Sequence, residues 1–422
     1  MSSKTFSKPS SIKKEVSSVD LFQGVGQDGK RYLMKHPKHL ESEDSVGLQT
    51  FQLDPVSFSP MLPIQSSPVV FRVTPGFASE AESVILEVHL RNTNGAGTIT
   101  PLALPYVIER IELGVNGSPN SVCTITSDGL LASQEFLPLD VYEKVYSLLN
   151  QSPYAKFVVN GTNILTETAI GTSATAVYQL TLPYAVWSQL DSTTLSGDLI
   201  LTIWPRALPV ASVAGGAVST ELELSRVRLL IQTKGLHPGD QDMIRQVHAK
   251  TAKLISYVEP RYLSRAGTVF TAGIRSDIVL SGIAGHCAGF FVMVRNGAHT
   301  APGTAFRTFD SLGDDATFDL LDAGGRSILG ARSLTGRELR KTYQSFNQGI
   351  LGNALNVYFV PLGDDVASTV WQGVDSGGLH LKGSEVLAIT PGYGVALTKE
   401  LVVVFLFHSQ MVQEAGQLRR TE

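Results

Sequence analysis

The chain has 422 residues, a formal net charge of −4 and a pI near 6.2, and only 17% of its residues are charged, against about 25% in an average soluble domain. Slight acidity excludes a surface built to coat nucleic acid, which would be strongly basic. No run approaches the ~20 apolar residues of a membrane span, and the first residues lack an apolar signal-peptide core, so the reading is synthesis in a cytoplasm.

Residues 1–45 read as a basic arm, with Lys4, Lys8, Lys13 and Lys14 among many serines. Ile12, Val16, Val19 and Phe22 recur at helical spacing, so a short amphipathic helix carrying Lys13 and Lys14 is set to dock on a neighbouring subunit or a lipid surface. The competing reading is a solvated tail. Within the arm, Gly24-Val25-Gly26-Gln27-Asp28-Gly29-Lys30-Arg31 imitates a phosphate-binding loop. Arg31 stands where a magnesium-binding Ser or Thr is needed, and neither a preceding strand nor a following helix is expected. The segment is read as a flexible glycine turn.

From about residue 60 the texture is β. Ser83–Arg91, Tyr106–Val115, Ala176–Leu182 and Leu199–Trp204 are short, rich in Val, Ile, Leu and Thr, and bounded by Gly, Pro, Asn and Ser. One helix is predicted from Asp140 through Leu148. Residues 236–260 read as a helical connector, capped by Asp240 and carrying Met243, Val247 and Leu254. Strands follow at Thr268–Leu280, Phe290–Arg295, Ala316–Leu321, Asn356–Pro361, Leu379–Ile389 and Leu401–His408, with a capping box opening a helix at Thr335-Gly336-Arg337-Glu338. Residues 413–422 read as a polar C-terminal tail.

The two halves repeat each other. Val88-His89-Leu90-Arg91-Asn92 is echoed by Val292-Met293-Val294-Arg295-Asn296, and Ile111–Gly117 by Phe318–Gly324. Val186-Trp187-Ser188-Gln189-Leu190-Asp191-Ser192 is echoed by Val370-Trp371-Gln372-Gly373-Val374-Asp375-Ser376. The blocks keep their order, and two copies mean a duplicated domain rather than a solenoid. The expectation is an all-β protein of two tandem jelly-roll β-sandwiches with short inserted helices, at 46–235 and 261–412. Trp187 and Trp371 suit either sandwich cores or equivalent subunit contacts. Asp191 and Asp375 suit tight turns.

Catalytic patterns are missing. The nine histidines contain no H-x-H pair, Cys123 and Cys287 fit no zinc spacing and read as buried thiols, and no G-x-S-x-G elbow occurs. Asp314-Asp315 and Asp364-Asp365 read as solvated turns. No enzyme, cofactor or metal is expected.

Two consecutive β-rich domains, each with a helix between late strands, resemble the double jelly-roll major capsid proteins of tailless icosahedral viruses. The likeness is carried by Asn356–Pro361, by Gly378–Ile389 and by the closing strand Leu401–Phe407. It implies homotrimeric, pseudo-hexagonal capsomers, with six similar units from three chains. It also implies location in the virion shell, contacts with penton or minor capsid proteins, and an internal membrane met by the arm. Short loops suggest a bacteriophage. The alternative is a tandem β-sandwich that binds glycans or a receptor.

Overall fold

The computed structural model describes residues 23–25, 31–33, 46–74, 78–97, 107–115, 123–134, 155–159, 162–166, 170–182, 195–207, 221–235, 246, 252–296, 310–330, 333–339, 358–366, 375, 377–392, 395–414 and 416–421. A short antiparallel hairpin, β1 (Gln23–Val25) and β2 (Arg31–Leu33), comes first. Contrary to expectation a strand does open the glycine segment, with Gly24 and Val25 in β1, but Arg31 lies in β2, a strand where a nucleotide site needs a helix.

The first sandwich begins with β3 (Val46–Leu53), β4 (Val69–Val73), β5 (Ala78–Asn92), β6 (Ile108–Val115) and β7 (Cys123–Thr126), which runs into helix α1 (Ser127–Gln134). A side hairpin, β8 (Ala155–Val159) and β9 (Thr162–Thr166), precedes β10 (Thr175–Thr181), β11 (Leu199–Pro205) and β12 (Leu222–Gly235). Its sheets run in the orders β10-β5-β12-β3 and β4-β11-β6-β7.

The second sandwich comprises β13 (Ala252–Phe270), β14 (Ser276–Val279), β15 (Ala284–Asn296), β16 (Thr317–Leu321), β17 (Leu334–Thr335), β18 (Tyr358–Pro361), β19 (Leu379–Lys382), β20 (Val386–Thr390) and β21 (Val395–Glu414). One sheet contains β13-β21-β15-β18, with β19 also on β15 and the β1–β2 hairpin added beyond β13; the other runs β14-β20-β16-β17. A final strand, β22 (Gln417–Thr421), pairs with β21. Read in order, the second sandwich repeats the first strand for strand: β13 answers β3, β15 answers β5, β16 answers β6 and β21 answers β12. Two of the repeated sequence blocks fall on equivalent strands, Val88–Asn92 with Val292–Asn296 on β5 and β15, and the starts of Ile111–Gly117 and Phe318–Gly324 on β6 and β16; the tryptophan block lies outside the described residues apart from Asp375.

Period-two burial makes the cores. In β11, Leu199, Leu201 and Ile203 are buried and the residues between them are not, the alternation of a strand with one covered face. Strands β15 and β21 break that rule because both their faces are covered. Phe290, Val292, Val294, Val403 and Phe405 fill the second sandwich, whereas Phe291, Met293, Val402, Val404 and Leu406 join the core of the first. That double burial explains the unbroken apolar run Leu401–Phe407. Each such side chain contributes about 1.5–3 kcal/mol on burial.

Three expectations need correction. The helical connector over 236–260 ends early: Gln246 is helical, but β13 starts at Ala252 and takes in Leu254. Ile255 and Tyr257 are fully buried at alternate positions, and strand pairing with β21 overrides the helical spacing. The tail over 413–422 is the end of β21 plus β22, turned at Gly416 with φ of +79°. Two predicted strands are each split by a turn, at Gly273 (φ +68°) and at Gly383 (φ +80°). At the second, the Glu385 carboxylate accepts the Lys382, Gly383 and Ser384 N–H groups at 2.8, 2.8 and 3.0 Å. The predicted helix over 140–148 lies outside the described residues.

Candidate assembly surface

The two sandwiches meet through unlike surfaces. On the first, β7 leads into α1, where the Gly129 N–H reaches Thr126 Oγ1 at 3.4 Å. A Cβ on Gly129 would lie 3.0 Å from Pro260 Cβ, so the missing side chain is what lets the helix sit on β13. On the second, the receiving surface is the outer face of the β13-β21-β15 sheet, with Val258, Phe291, Met293, Val402 and Val404 in one buried cluster with Ile125 and Leu130.

A charged group is set in this apolar contact. Arg295 donates to Asp128 Oδ1 at 3.0 Å through Nη1, and to Glu400 through Nε (2.8 Å) and Nη2 (3.1 Å). The Arg295 and Asp128 side chains are only 9% and 7% exposed. Such a buried cation is tolerable only while its carboxylates surround it. Arg206 donates to Ser127 Oγ at 2.8 Å beside it. Glu259 forms a second charged group, held by Arg261 at 3.0 Å and by Arg420 of β22, whose Nη1 lies 3.0 Å from Oε1. This pairing adds a side-chain tie to the strand pairing of β22 with β21.

The same cross-strand pair exists in the first sandwich. Arg295 is in register with Glu400, and Arg91 with Glu223. There the pair is loose: Arg91 Nη1 lies 3.7 Å from Glu223 and the arginine side chain is 53% exposed.

Among the residues singled out from the sequence, Trp187, Asp191 and Trp371 lie outside the described residues, as do Ile12, Lys13, Lys14, Val16, Val19 and Phe22. Asp375 is exposed; its Oδ1 accepts the Gly377 N–H at 3.0 Å, a tight turn, and faces His286 Nε2 at 3.4 Å. Burial works to raise its pKa, but the Gly377 bond and the nearby His408 and His286 outweigh it and hold the carboxyl below its ordinary range. Cys123 and Cys287 are both buried free thiols. Asp314 and Asp315 lie in a turn. Asp128 and Glu400 carried no signal in the sequence, whereas Arg295 stood inside a repeated block whose purpose only the packing shows. Among the described residues, no three His, Cys, Asp or Glu side chains gather so as to hold a metal ion, and no helix is long and apolar enough to cross a membrane.

No family model and no curated protein matches the sequence. Solved structures do match its shape. The chain is similar to a capsid structure of the virus PBCV-1, with a TM-score of 0.59 and 10% identity over 89% of this chain and 96% of that one. It is similar to a chain of the Sputnik virophage, with a TM-score of 0.54 and 12% identity over 90% and 89%. It is also similar to the major capsid protein of Faustovirus, with a TM-score of 0.53 and 11% identity over 86% and 90%. The fold is a double jelly roll. At such identities the shared feature is the fold, over 86–90% of this chain. Within this chain the halves meet through unlike surfaces, a helix start on the first and a sheet face on the second.

Proposed function

We propose that this protein is the structural major capsid protein of an icosahedral virion, assembling as a homotrimer whose six similar sandwiches fill a pseudo-hexagonal position. The observation that carries the reading is the strand-for-strand duplication joined through unlike surfaces. Repeating a contact of that kind closes a ring when the rotation allows, and three chains supply six units. Exposed apolar residues support it. Among the described residues, the large exposed hydrophobic side chains are Phe51, Val56 and Leu62, and then Tyr262, Val269, Ile274 and Val279. They fall on β3 and the loop to β4, and on the equivalent β13, loop and β14. Such residues fit surfaces that are covered on assembly.

In this reading the protein acts in the virion shell, is made in the host cytoplasm and catalyses nothing. It contacts neighbouring capsomers and penton or minor capsid proteins. Residues 1–45, which include the β1–β2 hairpin paired to β13, face an internal membrane or adjoining capsomers through Ile12, Lys13, Lys14, Val16, Val19 and Phe22. Normal particle assembly after deletion of that arm would overturn the last assignment. The decisive experiment is light scattering of the purified chain after size exclusion. A discrete trimer, stable on dilution, is expected; a monomer at every concentration would overturn the capsid reading and direct the work to glycan binding.

A further inference from the structure

We infer that the contact between the two sandwiches of one chain is repeated between chains, with Arg337 of one copy seated on the Arg91–Glu223 pair of the next. The inference rests on the trimeric reading above and adds the side chains that would hold it.

Among the described residues, two surfaces stay uncovered by the other sandwich: the outer face of the first sandwich's β5–β12 sheet, and the helix start that follows β17 in the second. Both are counterparts of surfaces already in contact. In the first sandwich β7 ends at Thr126 and α1 begins with Ser127, Asp128, Gly129 and Leu130; in the second β17 ends at Thr335 and the helical turn begins with Gly336, Arg337, Glu338 and Leu339. Leu130 and Leu339 are both buried, at 0% and 1% exposure, which fixes the correspondence and sets Arg337 where Asp128 stands. Arg337 is exposed, and its side chain makes no hydrogen bond or ion pair among the described residues. On the receiving face, register sets Arg91 and Glu223 where Arg295 and Glu400 stand.

The sign of the charge changes with the partner it must choose. Asp128, an anion, meets the arginine of its pair. Arg337, a cation, would meet the glutamate of the other. Arg91 lies 3.7 Å from Glu223, whose side chain is 14% exposed, so the pair leaves room on the carboxylate for a second guanidinium at its open edge.

The two receiving faces differ as their histories require. Where the second sandwich presents Phe291 and Met293 along β15, the first presents Glu87 and His89 along β5. A face covered as the chain folds can be apolar, while one covered only on assembly must stay soluble until then. The contact between chains should therefore be polar and salt-sensitive.

The test uses the full chain, with subunit mass followed over a dilution series. Arg337→Glu and Glu223→Arg should each raise the trimer dissociation constant at least about tenfold, and their combination should bring it back to within about threefold of the parent. A parent trimer with both single variants dissociating like it would overturn this inference and leave the trimeric reading standing. A monomeric parent would overturn both. As a second readout, Arg337→Cys with Glu223→Cys should yield covalently linked chains up to three on oxidation, against a low background because both native thiols are buried. A trimer giving no linked species would overturn the contact.

Discussion

Arg91 and Arg295 occupy the same place on equivalent strands, yet one is 53% exposed and the other 9%. What separates them is Asp128, which the first sandwich sends into the second at 3.0 Å from Arg295. The pair of arginines thus marks the one surface that folding covers and the one that it leaves open.

Removing the buried arginine should be costly. Arg295→Met leaves Asp128 and Glu400 facing each other without a cation, and a loss of about 3–5 kcal/mol is expected. Arg91→Met, at the open position, should cost under about 1 kcal/mol. Denaturant unfolding of both variants checks the contrast, and equal losses would show that burial of the pair is not what matters.

Glu87 should make stability depend on pH. Burial works to raise its pKa, but hydrogen bonds from His89 and Gln179 and the charges of His89 and Arg228 outweigh it and hold the carboxyl below the ordinary value of 4.5. A carboxyl whose pKa is lower folded than unfolded stabilises fully above the unfolded value and ceases to do so as pH falls through the folded one. Glu87→Gln should therefore cost about 1.5 kcal/mol at pH 7, with the gap to the parent closing below pH 4.5. A gap of the same size in acid would mean that shape, not charge, is responsible.

The helix start after β17 should be sensitive at two adjacent positions for different reasons. Thr335 Oγ1 accepts the Glu338 N–H at 3.3 Å while Glu338 Oε2 accepts the Thr335 N–H at 2.9 Å, so Thr335→Ala should cost about 1 kcal/mol. Gly336 has no room for a side chain, since a Cβ there would lie 2.4 Å from the Gly313 carbonyl oxygen. Gly336→Ala should cost about 1–3 kcal/mol and displace Arg337. The denaturation midpoints of the two variants give the ranking.

Neither thiol should react in the native protein. Burial pushes the Cys287 thiol up to about 12 and raises that of Cys123 further, so almost no thiolate exists at pH 8. A thiol reagent should titrate none in buffer and two per chain in denaturant. Rapid labelling of either in buffer would mean that the sandwich opens readily around it.

Much of the fold was legible because it rests on local signals. The repeat of Val88–Asn92 in Val292–Asn296 located equivalent strands, and the capping box at Thr335 formed where its spacing placed it. Leu254 carries a helical spacing in the sequence, while Ile255 and Tyr257 just after it supply a period of two that only the pairing with β21 makes decisive. Residues 413–422 look like a polar tail in the sequence because Arg420 finds its partner only in Glu259, 161 positions earlier.

By itself the sequence determined that the chain is β-rich, duplicated and without a catalytic pattern, since alternation, turn residues and repeated blocks act over a few neighbours. Tertiary structure alone decided which of two equivalent faces is buried. That choice depends on Asp128, Arg295 and Glu400 meeting across hundreds of residues, and the cost of an uncompensated charge is set by where the charge lies, not by what precedes it in the chain.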